Sequence, residues 1–348
     1  MNARGLLIAL VLAAAPARGQ DHGFAGLGAE AQGFALPDPA RALVFPRDHG
    51  AHEDFRIEWW YLTANLRGAD GRDYGAQWTL FRSALSPEGA DAGWSSPQVW
   101  MAHAAVTTPD AHHVAERFGR GGVGQAGVTA DPFAAWIDDW SLRAPEGGHG
   151  IDRLTVQARG DGFSYALTAA TDGPLVLHGQ NGFSVKASGG QASHYYSQPF
   201  YRVTGQLDLP RGPVEVTGEA WLDREWSSQP LDRSQSGWDW FALHLDDGRK
   251  LMAARVRGTE PFLFGSLIGA DGRVRTLDGG DLALRPGSGT PPVSWALDLP
   301  AEGLALTVEA VNPRSAMTTT VPYWEGPVRV GGTVEGRGYL EMTGYPLD

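Results

Sequence analysis

The chain of 348 residues is long enough for two domains of ordinary size, and it carries 28 basic against 40 acidic side chains. The formal net charge of −12 argues against a nucleic-acid partner, since such binding depends on lysine and arginine at phosphates, and it disfavours docking on anionic lipid. Thirteen tryptophans supply large apolar surfaces, and the lack of cysteine excludes disulfide and thiol chemistry.

The N-terminal segment has the pattern of a signal peptide. Arg4 precedes an apolar run from Leu6 to Ala15, which small residues follow. The run is too short to span a bilayer as a helix. We therefore expect residues 1–19 to be cleaved, residues 20–44 to form a linker, and the mature protein to be periplasmic or secreted without stable membrane insertion.

Strand signals dominate the rest of the chain. "IEWWYLTANL" and "DYGAQWTLFRSAL" flank Asp70-Gly71, and "WDWFALHL" and "KLMAARVR" flank Asp247-Gly248. Asp-Gly between such runs is typical of a tight hairpin. Three further turns are predicted at Asp161-Gly162, Asp172-Gly173 and Asp271-Gly272. A short helix is predicted at "DPFAAWIDDW", with Asp131 as its cap and Pro132 in its first turn.

The two aromatic hairpins lie in opposite halves of the chain and resemble each other. This similarity predicts two related β-domains, residues 45–200 and residues 201–348, with a boundary near residue 200. A closed antiparallel barrel removes edge strands and can enclose one apolar ligand. We therefore predict an all-β chain of two lipocalin-like barrels in tandem, with a pair of flat sandwiches as the alternative.

Five ordered motifs carry a family resemblance that extends from Phe45 to Tyr345. They read "DHGAHEDFRIEWWYLTANL", "HYYSQP", "GEAWLDREWSSQPL", "GWDWFALHLDDGRKLM" and "YWEGPVRVGGTVEGRGYLEMTGY". Together they resemble the lipocalin-like carotenoid 1,2-hydratase superfamily, which includes kievitone hydratase and exported bacterial proteins called predicted secreted hydrolases. The resemblance implies two lipocalin-like domains and, as in the characterised hydratases, addition of water to an isolated alkene without a cofactor.

The resemblance also implies a catalytic set. Carotenoid hydratases carry a His-x-Trp pair and a later Tyr-x-Asp pair, and the matching places here read His194-Tyr195-Tyr196 and Trp221-Leu222-Asp223. Trp and Tyr are exchanged, so the family mechanism carries over in part. The predicted catalytic residues are His194, Tyr196, Trp221 and Asp223.

Alkene hydration explains why such groups are needed. A carboxylic acid kept neutral by burial can protonate the alkene, aromatic faces can stabilise the cation, and a histidine can accept a proton from water. Asp223 and Glu225 share one side of a strand and Arg224 takes the other, so the alternative is that both acids face solvent. His194 has the alternative of capping a loop. Tyr195 and Tyr196 alternate, so at most one lines the same cavity.

Further aromatic and acidic residues are predicted to line the ligand site. For Glu58 and Asp239, acids within apolar strands, a structural ion pair with Arg82, Arg224 or Arg257 is favoured over a proton role. Glu325 in "YWEG" is interpreted as part of a barrel closure. The predicted substrate-binding residues are Glu58, Trp59, Trp60, Glu225, Trp226, Trp238, Asp239 and Trp240.

Other chemistries lack support in the sequence. His49 and His52, and the adjacent pair His112-His113, have no convincing third metal ligand, and no Gly-x-Ser-x-Gly element supports a nucleophilic serine. Two functions remain open. The first is a cofactor-free hydratase or isomerase acting on an isoprenoid-like or lipid substrate, and the second is a non-catalytic periplasmic carrier of a lipophilic ligand. Neither the ligand nor the choice among hydratase, isomerase and cyclase follows from the sequence.

Overall fold

The protein is all-β. The computed structural model describes residues 32–88, 93–229 and 235–347. Within these ranges helix is confined to three short 3₁₀ turns, Arg47–His49, Gly93–Ser95 and Pro300–Glu302. The predicted signal peptide and most of the predicted linker lie outside the described residues. Two curled antiparallel sheets contain all the strands of the described ranges, which confirms the predicted fold of two barrel-like domains in tandem.

The first sheet has the order β4-β3-β2-β1-β13-β12-β9-β8-β7-β6-β5, with β10 and β11 also paired to β12. It curls until β4 contacts β6 and β8, so it approaches a closed barrel. Its strands are β1 (Ile57–Gly68), β2 (Asp73–Ala84), β3 (Gln98–Thr107), β4 (His112–Arg120), β5 (Ala126–Ala130), β6 (Phe133–Ile137), β7 (Trp140–Arg143), β8 (Arg153–Gly160), β9 (Phe163–Ala170), β10 (Val176–Leu177), β11 (Phe183–Val185), β12 (Ala192–Leu209) and β13 (Gly212–Ser227).

The second sheet repeats this topology with fewer strands. Its order is β17-β16-β15-β14-β23-β22-β20-β19-β18, with β21 paired to β22. The hairpin β14–β15 and the last strand β23 therefore take the places that β1–β2 and β13 take in the first sheet. The strands are β14 (Gln235–Leu245), β15 (Lys250–Gly258), β16 (Phe262–Ile268), β17 (Val274–Asp278), β18 (Ala283–Pro286), β19 (Ser294–Leu299), β20 (Leu304–Ala310), β21 (Ala316–Met317), β22 (Tyr323–Gly332) and β23 (Gly336–Met342).

The passage from one sheet to the other falls later than the boundary placed near residue 200. β12 runs through that position as one long strand with a bulge between Gln198 and Tyr201, and β13 follows it in the same sheet. The chain then enters the second sheet between Ser227 and Gln235. Similarity of the two hairpins does not indicate where β12 ends, and the bulge at Pro199 lets this strand continue past residue 200.

The predicted turns and the predicted helix have different outcomes. Asp-Gly turns join β1 to β2, β8 to β9, β14 to β15 and β16 to β17, whereas Asp172-Gly173 lies in a connection that leads to β10.

The helix predicted at "DPFAAWIDDW" is wrong. Residues 133–137 form β6, in which burial alternates along the strand, and Asp138 has a positive φ of 50° in the turn to β7. Alternating burial has a period of two, which a helix cannot satisfy.

Among the described residues, three large apolar clusters and a small one of Ala105, Met317 and Tyr323 hold the fold together. One fills the first barrel around Trp60, Trp78 and Trp140, and a second fills the curled second sheet around Phe241 and Trp295. A third joins the outer faces of the two sheets. Its buried members are Tyr61, Val176, Tyr195, Trp221, Trp240, Ala242, Met252, Ala254, Ile268 and Tyr339. Both faces of the central strands are therefore buried, and the two sheets pack against each other through the third cluster.

Candidate active site

A cavity of about 750 Å³ lies between the outer faces of the two sheets. The first sheet contributes side chains from β1, β2, β3, β12 and β13, and the second from β14, β15, β16 and β23. Most of the wall is apolar or aromatic, and Phe118, which is 55% exposed, brings the cavity to the surface. A mainly apolar cavity of this size with a few polar groups is typical of a small-molecule site. The candidate ligand site therefore lies between the barrels, because side chains fill the interior of the first barrel.

Asp223 is the central polar group of this cavity. Its Oδ1 accepts hydrogen bonds from Trp221 Nε1 at 2.6 Å and from the Ser197 hydroxyl, and its Oδ2 accepts one from the Tyr195 hydroxyl at 2.8 Å. Burial raises the pKa of Asp223 to about 7, although these three hydrogen bonds oppose the rise. No arginine or lysine forms an ion pair with Asp223 among the described residues. Near neutral pH the group can therefore either donate or accept a proton.

The aromatic side chains around Asp223 come from both sheets. Trp59, Tyr61, Trp238 and Trp240 line the cavity, and Trp240 Nε1 donates to the Tyr195 hydroxyl at 3.3 Å. Tyr61 lies directly opposite Asp223 in the register of β1 and β13. Directly opposed residues share a face, so the phenol and the carboxyl lie on the same side of the sheet. A cation formed in this cavity would be surrounded by aromatic faces.

A short hydrogen-bonded chain leads from Asp223 to the second sheet. His178 Nε2 contacts the Ser197 hydroxyl at 2.6 Å, and His178 Nδ1 contacts the Ser266 hydroxyl at 2.8 Å. Because Ser197 donates to Asp223, it accepts from Nε2–H, and Nδ1 accepts from Ser266. Burial holds the pKa of His178 well below its usual value, so the ring is neutral. The chain fixes the Ser197 hydroxyl toward Asp223.

The cavity also contains an ion pair. Lys186 lies 3.1 Å from the Glu225 carboxylate, and its ammonium packs over the rings of Tyr195 and Phe264. Burial lowers the pKa of Lys186, and Glu225 opposes this change. Ser193 also lines the cavity, and its buried hydroxyl has no hydrogen-bond partner within the described ranges. A buried hydroxyl left without a partner is a position at which a polar group of a ligand can bind.

The structure separates the four predicted catalytic residues. Tyr195 and Ser197 pair with Glu225 and Asp223 across β12 and β13, whereas His194 and Tyr196 pair with Trp226 and Arg224 on the other face. Asp223 and Trp221 therefore point to the cavity between the sheets, and His194 and Tyr196 point into the first barrel. The prediction that all four converge is wrong. Tyr195 lies beside Asp223, whereas the family resemblance implied Tyr196 at this place.

His194 and Tyr196 are part of the packing inside the first barrel. His194 packs against Trp226, and Tyr196 shares a 2.6 Å hydrogen bond with His49 Nδ1. Burial lowers the pKa of His194 to about 4, so the ring is neutral at pH 7. Trp226 and Trp60 lie in the same core, so neither belongs to the ligand site that was predicted to contain them.

The acids Glu58 and Asp239 form the structural ion pairs that the sequence analysis favoured. Glu58 lies inside the first barrel, where it binds Arg82 and has an oxygen 2.6 Å from Arg224. These arginines, with a hydrogen bond from His52, hold the pKa of Glu58 well below its usual value despite complete burial. Asp239 binds Arg255 at 2.8 Å in the second sheet. Both carboxylates are therefore committed to structural ion pairs. Glu58 still lines the cavity, as predicted, whereas Asp239 does not and is corrected as a substrate-binding residue.

The remaining predicted binding residues have the expected location. Trp59, Glu225, Trp238 and Trp240 all line the cavity. Sequence reasoning missed Tyr61, Lys186, Ser197, His178 and Glu341 in addition to Tyr195. Ser197 lies directly opposite Asp223 in the pairing of β12 with β13, and the sequence does not reveal this register. Glu341 occurs in the quoted motif "YLEMTGY", where an acid between apolar residues gave the only available signal.

The chain belongs to the AttH-like family, whose model matches residues 36–345. It shares 32% identity with an AttH candidate from Nitrosomonas europaea, whose crystal structure aligns with a TM-score of 0.79 over 90% of this chain and 100% of the other. None of the curated protein sequences compared with the chain matches it. The helices of the described ranges are all too short or too polar to cross a membrane.

A second solved structure relates the fold to a known enzyme. Kievitone hydratase from Nectria haematococca aligns with a TM-score of 0.64 and 14% identity, over 89% of this chain and 98% of the other. At this identity the likeness concerns the fold. The chain therefore shares the fold of kievitone hydratase, as the resemblance carried by the sequence motifs predicted.

Proposed function

We propose that the protein is a cofactor-free hydro-lyase that adds water to an isolated carbon–carbon double bond of an apolar, isoprenoid-like or lipid molecule. One observation carries this proposal: the Asp223 carboxyl lies in an aromatic cavity, and burial raises its pKa to about 7. A carboxylic acid that keeps its proton near neutral pH can protonate an alkene, which water itself is too weak an acid to do.

The geometry supports a defined first step. The Asp223 proton adds to one alkene carbon, the π bond breaks, and a tertiary carbocation forms at the other carbon. Trp59, Tyr61, Trp238 and Trp240 can stabilise this cation through their ring faces, an interaction of roughly 2 kcal/mol or more per face when water is excluded. Trp221 and Ser197 then stabilise the resulting Asp223 carboxylate by their hydrogen bonds. Water completes the reaction by attacking the cation.

The test uses two probes whose hydratases the sequence resembles, kievitone and the acyclic carotenoid lycopene. The protein is incubated with each probe in ¹⁸O-labelled water, and the products are analysed by mass spectrometry. We expect a labelled alcohol from at least one probe, and we expect Asp223→Asn to lower its rate by about 100-fold or more, because the amide has no acidic proton. The matched control is Asp208→Asn on the exposed side of β12, which should retain the rate.

A carrier is the second candidate, since the same apolar cavity can hold a lipophile without changing it. Probe binding measured by tryptophan fluorescence separates the two classes. Binding of either probe without any ¹⁸O incorporation would identify a carrier and reject the hydro-lyase.

Export also stays a prediction of the sequence. The mass of the mature protein isolated from its native cell would show whether residues 1–19 have been removed.

A further inference from the structure

A second carboxyl group, which is half-buried, faces the cavity from the other sheet. Glu341 on β23 lines the cavity and accepts a hydrogen bond from Trp238 Nε1 at 2.5 Å. Glu325 on β22 lies directly opposite Glu341 and is buried behind it. Protonation of an alkene by Asp223 makes no use of either acid. Acids buried beside an apolar cavity are costly, and this cost suggests a function.

Tyr61 connects this pair to Asp223. It lies directly opposite Asp223 across β1 and β13, and its hydroxyl donates to Glu325 Oε1 at 2.5 Å and also contacts Glu341. Asp223 and Glu341 therefore face one cavity from its two walls, with a phenol between them. An acid on one wall and a base on the other is the arrangement that addition of water requires.

The charges of the two carboxyl groups are coupled. Burial raises the pKa of Glu341 to about 7, and the carboxylates of Asp223 and Glu225 raise it further, whereas the hydrogen bond from Trp238 and the nearby Tyr61 hydroxyl oppose the change. Burial and the charge of Glu341 raise the pKa of Glu325 well above its usual value, so Glu325 is a neutral acid. Two like charges on one small cavity repel, so the state in which both Asp223 and Glu341 are ionised is disfavoured.

On the basis of the proposed hydration, we propose that Glu341 is the catalytic base that accepts a proton from the attacking water. Asp223 transfers its proton to the alkene, the π bond breaks and a C–H bond forms. The water oxygen bonds to the cationic carbon, one O–H bond of that water breaks, and its proton moves to a Glu341 carboxylate oxygen. The product is an alcohol, Asp223 is left as carboxylate, and Glu341 is left as acid.

The cycle closes when a proton returns from Glu341 to Asp223 through water that enters the open cavity.

The same base explains how hydration and isomerisation are related. If Glu341 instead takes a proton from a carbon next to the cation, a new π bond forms and the double bond has shifted. Water held between Glu341 and the cation therefore directs the reaction to the alcohol.

The experiment follows two isotopes in the full-length protein with kievitone and lycopene. ¹⁸O in the alcohol reports water attack, and deuterium gained by recovered alkene in D₂O reports protonation followed by loss of a proton. We expect Glu341→Gln to lower the ¹⁸O alcohol by about 100-fold while deuterium still enters the alkene, because Asp223 protonates it and takes a proton back. Asp223→Asn should abolish both signals. Glu309→Gln, at an exposed position of β20, should retain both.

Two results would overturn the assignment of Glu341. One is an ¹⁸O rate in Glu341→Gln within a few fold of the unchanged protein. The other is a parallel fall of both isotope signals together with the melting temperature, which would indicate a structural role. Glutamine keeps an oxygen for Trp238, so the variant should fold, and Glu341→Asp should restore part of the ¹⁸O rate. Failure of the unchanged protein to give alcohol or deuterium exchange with either probe would instead reject the proposed function.

A measurement without substrate tests whether the charge of Asp223 affects the protonation of Glu341. Difference infrared spectroscopy detects the carbonyl stretch of each protonated carboxyl, and Glu341→Gln assigns the Glu341 band. The ionisable or polar groups that face Glu341 are Asp223, Glu225, Glu325, Tyr61, Tyr323 and Trp238. We expect Asp223→Asn to shift the titration of the Glu341 band to lower pH, because one repelling charge is removed. A Glu341 titration unchanged by Asp223→Asn would refute the coupling on which the assignment rests.

Discussion

Asp223 has three hydrogen-bond donors around it and no cationic partner among the described residues, so its substitution should reveal the cost of burying its charge. Burial raises the pKa from 3.8 in an unfolded chain to about 7 in the folded one. Between these values the folded state binds more protons than the unfolded state, so the stability from this group is lost as pH rises. Asp223→Asn removes the effect.

We therefore predict that the melting temperature of Asp223→Asn, relative to the unchanged protein, rises between about pH 4 and pH 8. Differential scanning fluorimetry across this range measures the difference. The matched variant Asp208→Asn should show no such trend. A difference that stays constant with pH would mean that Asp223 is ionised in the folded protein throughout, contrary to its proposed function as an acid.

Glu58 shows the opposite behaviour of a buried acid, since it is paired with two arginines that are themselves buried. Glu58→Gln leaves Arg82 and Arg224 without a counter-charge, so we predict a loss of about 3–5 kcal/mol in the free energy of unfolding. Asp73 provides the control, because it also lies between two arginines but at the surface. Asp73→Asn should cost only about 0–1 kcal/mol. Equal losses in urea denaturation would contradict this account.

At the scale of strands, the sequence predicted much of the local structure and part of the site. Alternation correctly separated Asp223 and Glu225 from Arg224, and Tyr195 from Tyr196. Alternation did not show which face of β13 lines the cavity, because both faces are apolar. Leu222 and Trp226 lie on one face, and Trp221 lies on the other. His194 and Asp223 were therefore assigned to one cavity, whereas the register places them on opposite sides.

The pairing of β1 with β13 aligns Tyr61 with Asp223, and Gly218 permits the close approach of these strands. A Cβ atom at Gly218 would collide with the carbonyl oxygen of Asn65. We predict that Gly218→Ala costs about 1–3 kcal/mol of stability, the usual range for overpacking. Gly279→Ala is the control, since its nearest neighbour would lie 3.9 Å away. Denaturant titration of both variants should give a clear loss only for Gly218→Ala.

At the scale of the molecule, the two-barrel fold followed from hairpin turns and from the family resemblance, but the location of the cavity did not. The cavity depends on contacts between residues far apart in the chain, such as Tyr61 with Glu325 and Tyr195 with Trp240. Strand patterns indicate which residues are buried, and they carry no information about which sheet covers them. An apolar ligand was therefore expected inside a barrel rather than between the two sheets.

The pH dependence of stability is a property of the whole molecule, because two sets of buried groups act in opposite directions. Burial lowers the pKa values of six histidines from 6.5, to about 4 for five of them and well below the usual value for His178. The unfolded state therefore binds more protons between pH 6.5 and pH 4, and this stability is lost as pH falls through that window. The six are His49, His103, His112, His178, His194 and His244.

Burial raises the pKa values of four carboxyl groups, Asp223, Asp239, Glu325 and Glu341, so their contribution is lost as pH rises. Below pH 6.5 the six histidines outnumber the four acids, and above it only the acids act. We predict a maximum of the melting temperature between about pH 6 and pH 7, with a decline on both sides. His194→Gln should flatten the acid side, and Glu341→Gln should flatten the alkaline side, when unfolding is followed by circular dichroism. A maximum below about pH 5 would mean that the histidines are protonated in the folded protein, in conflict with their burial.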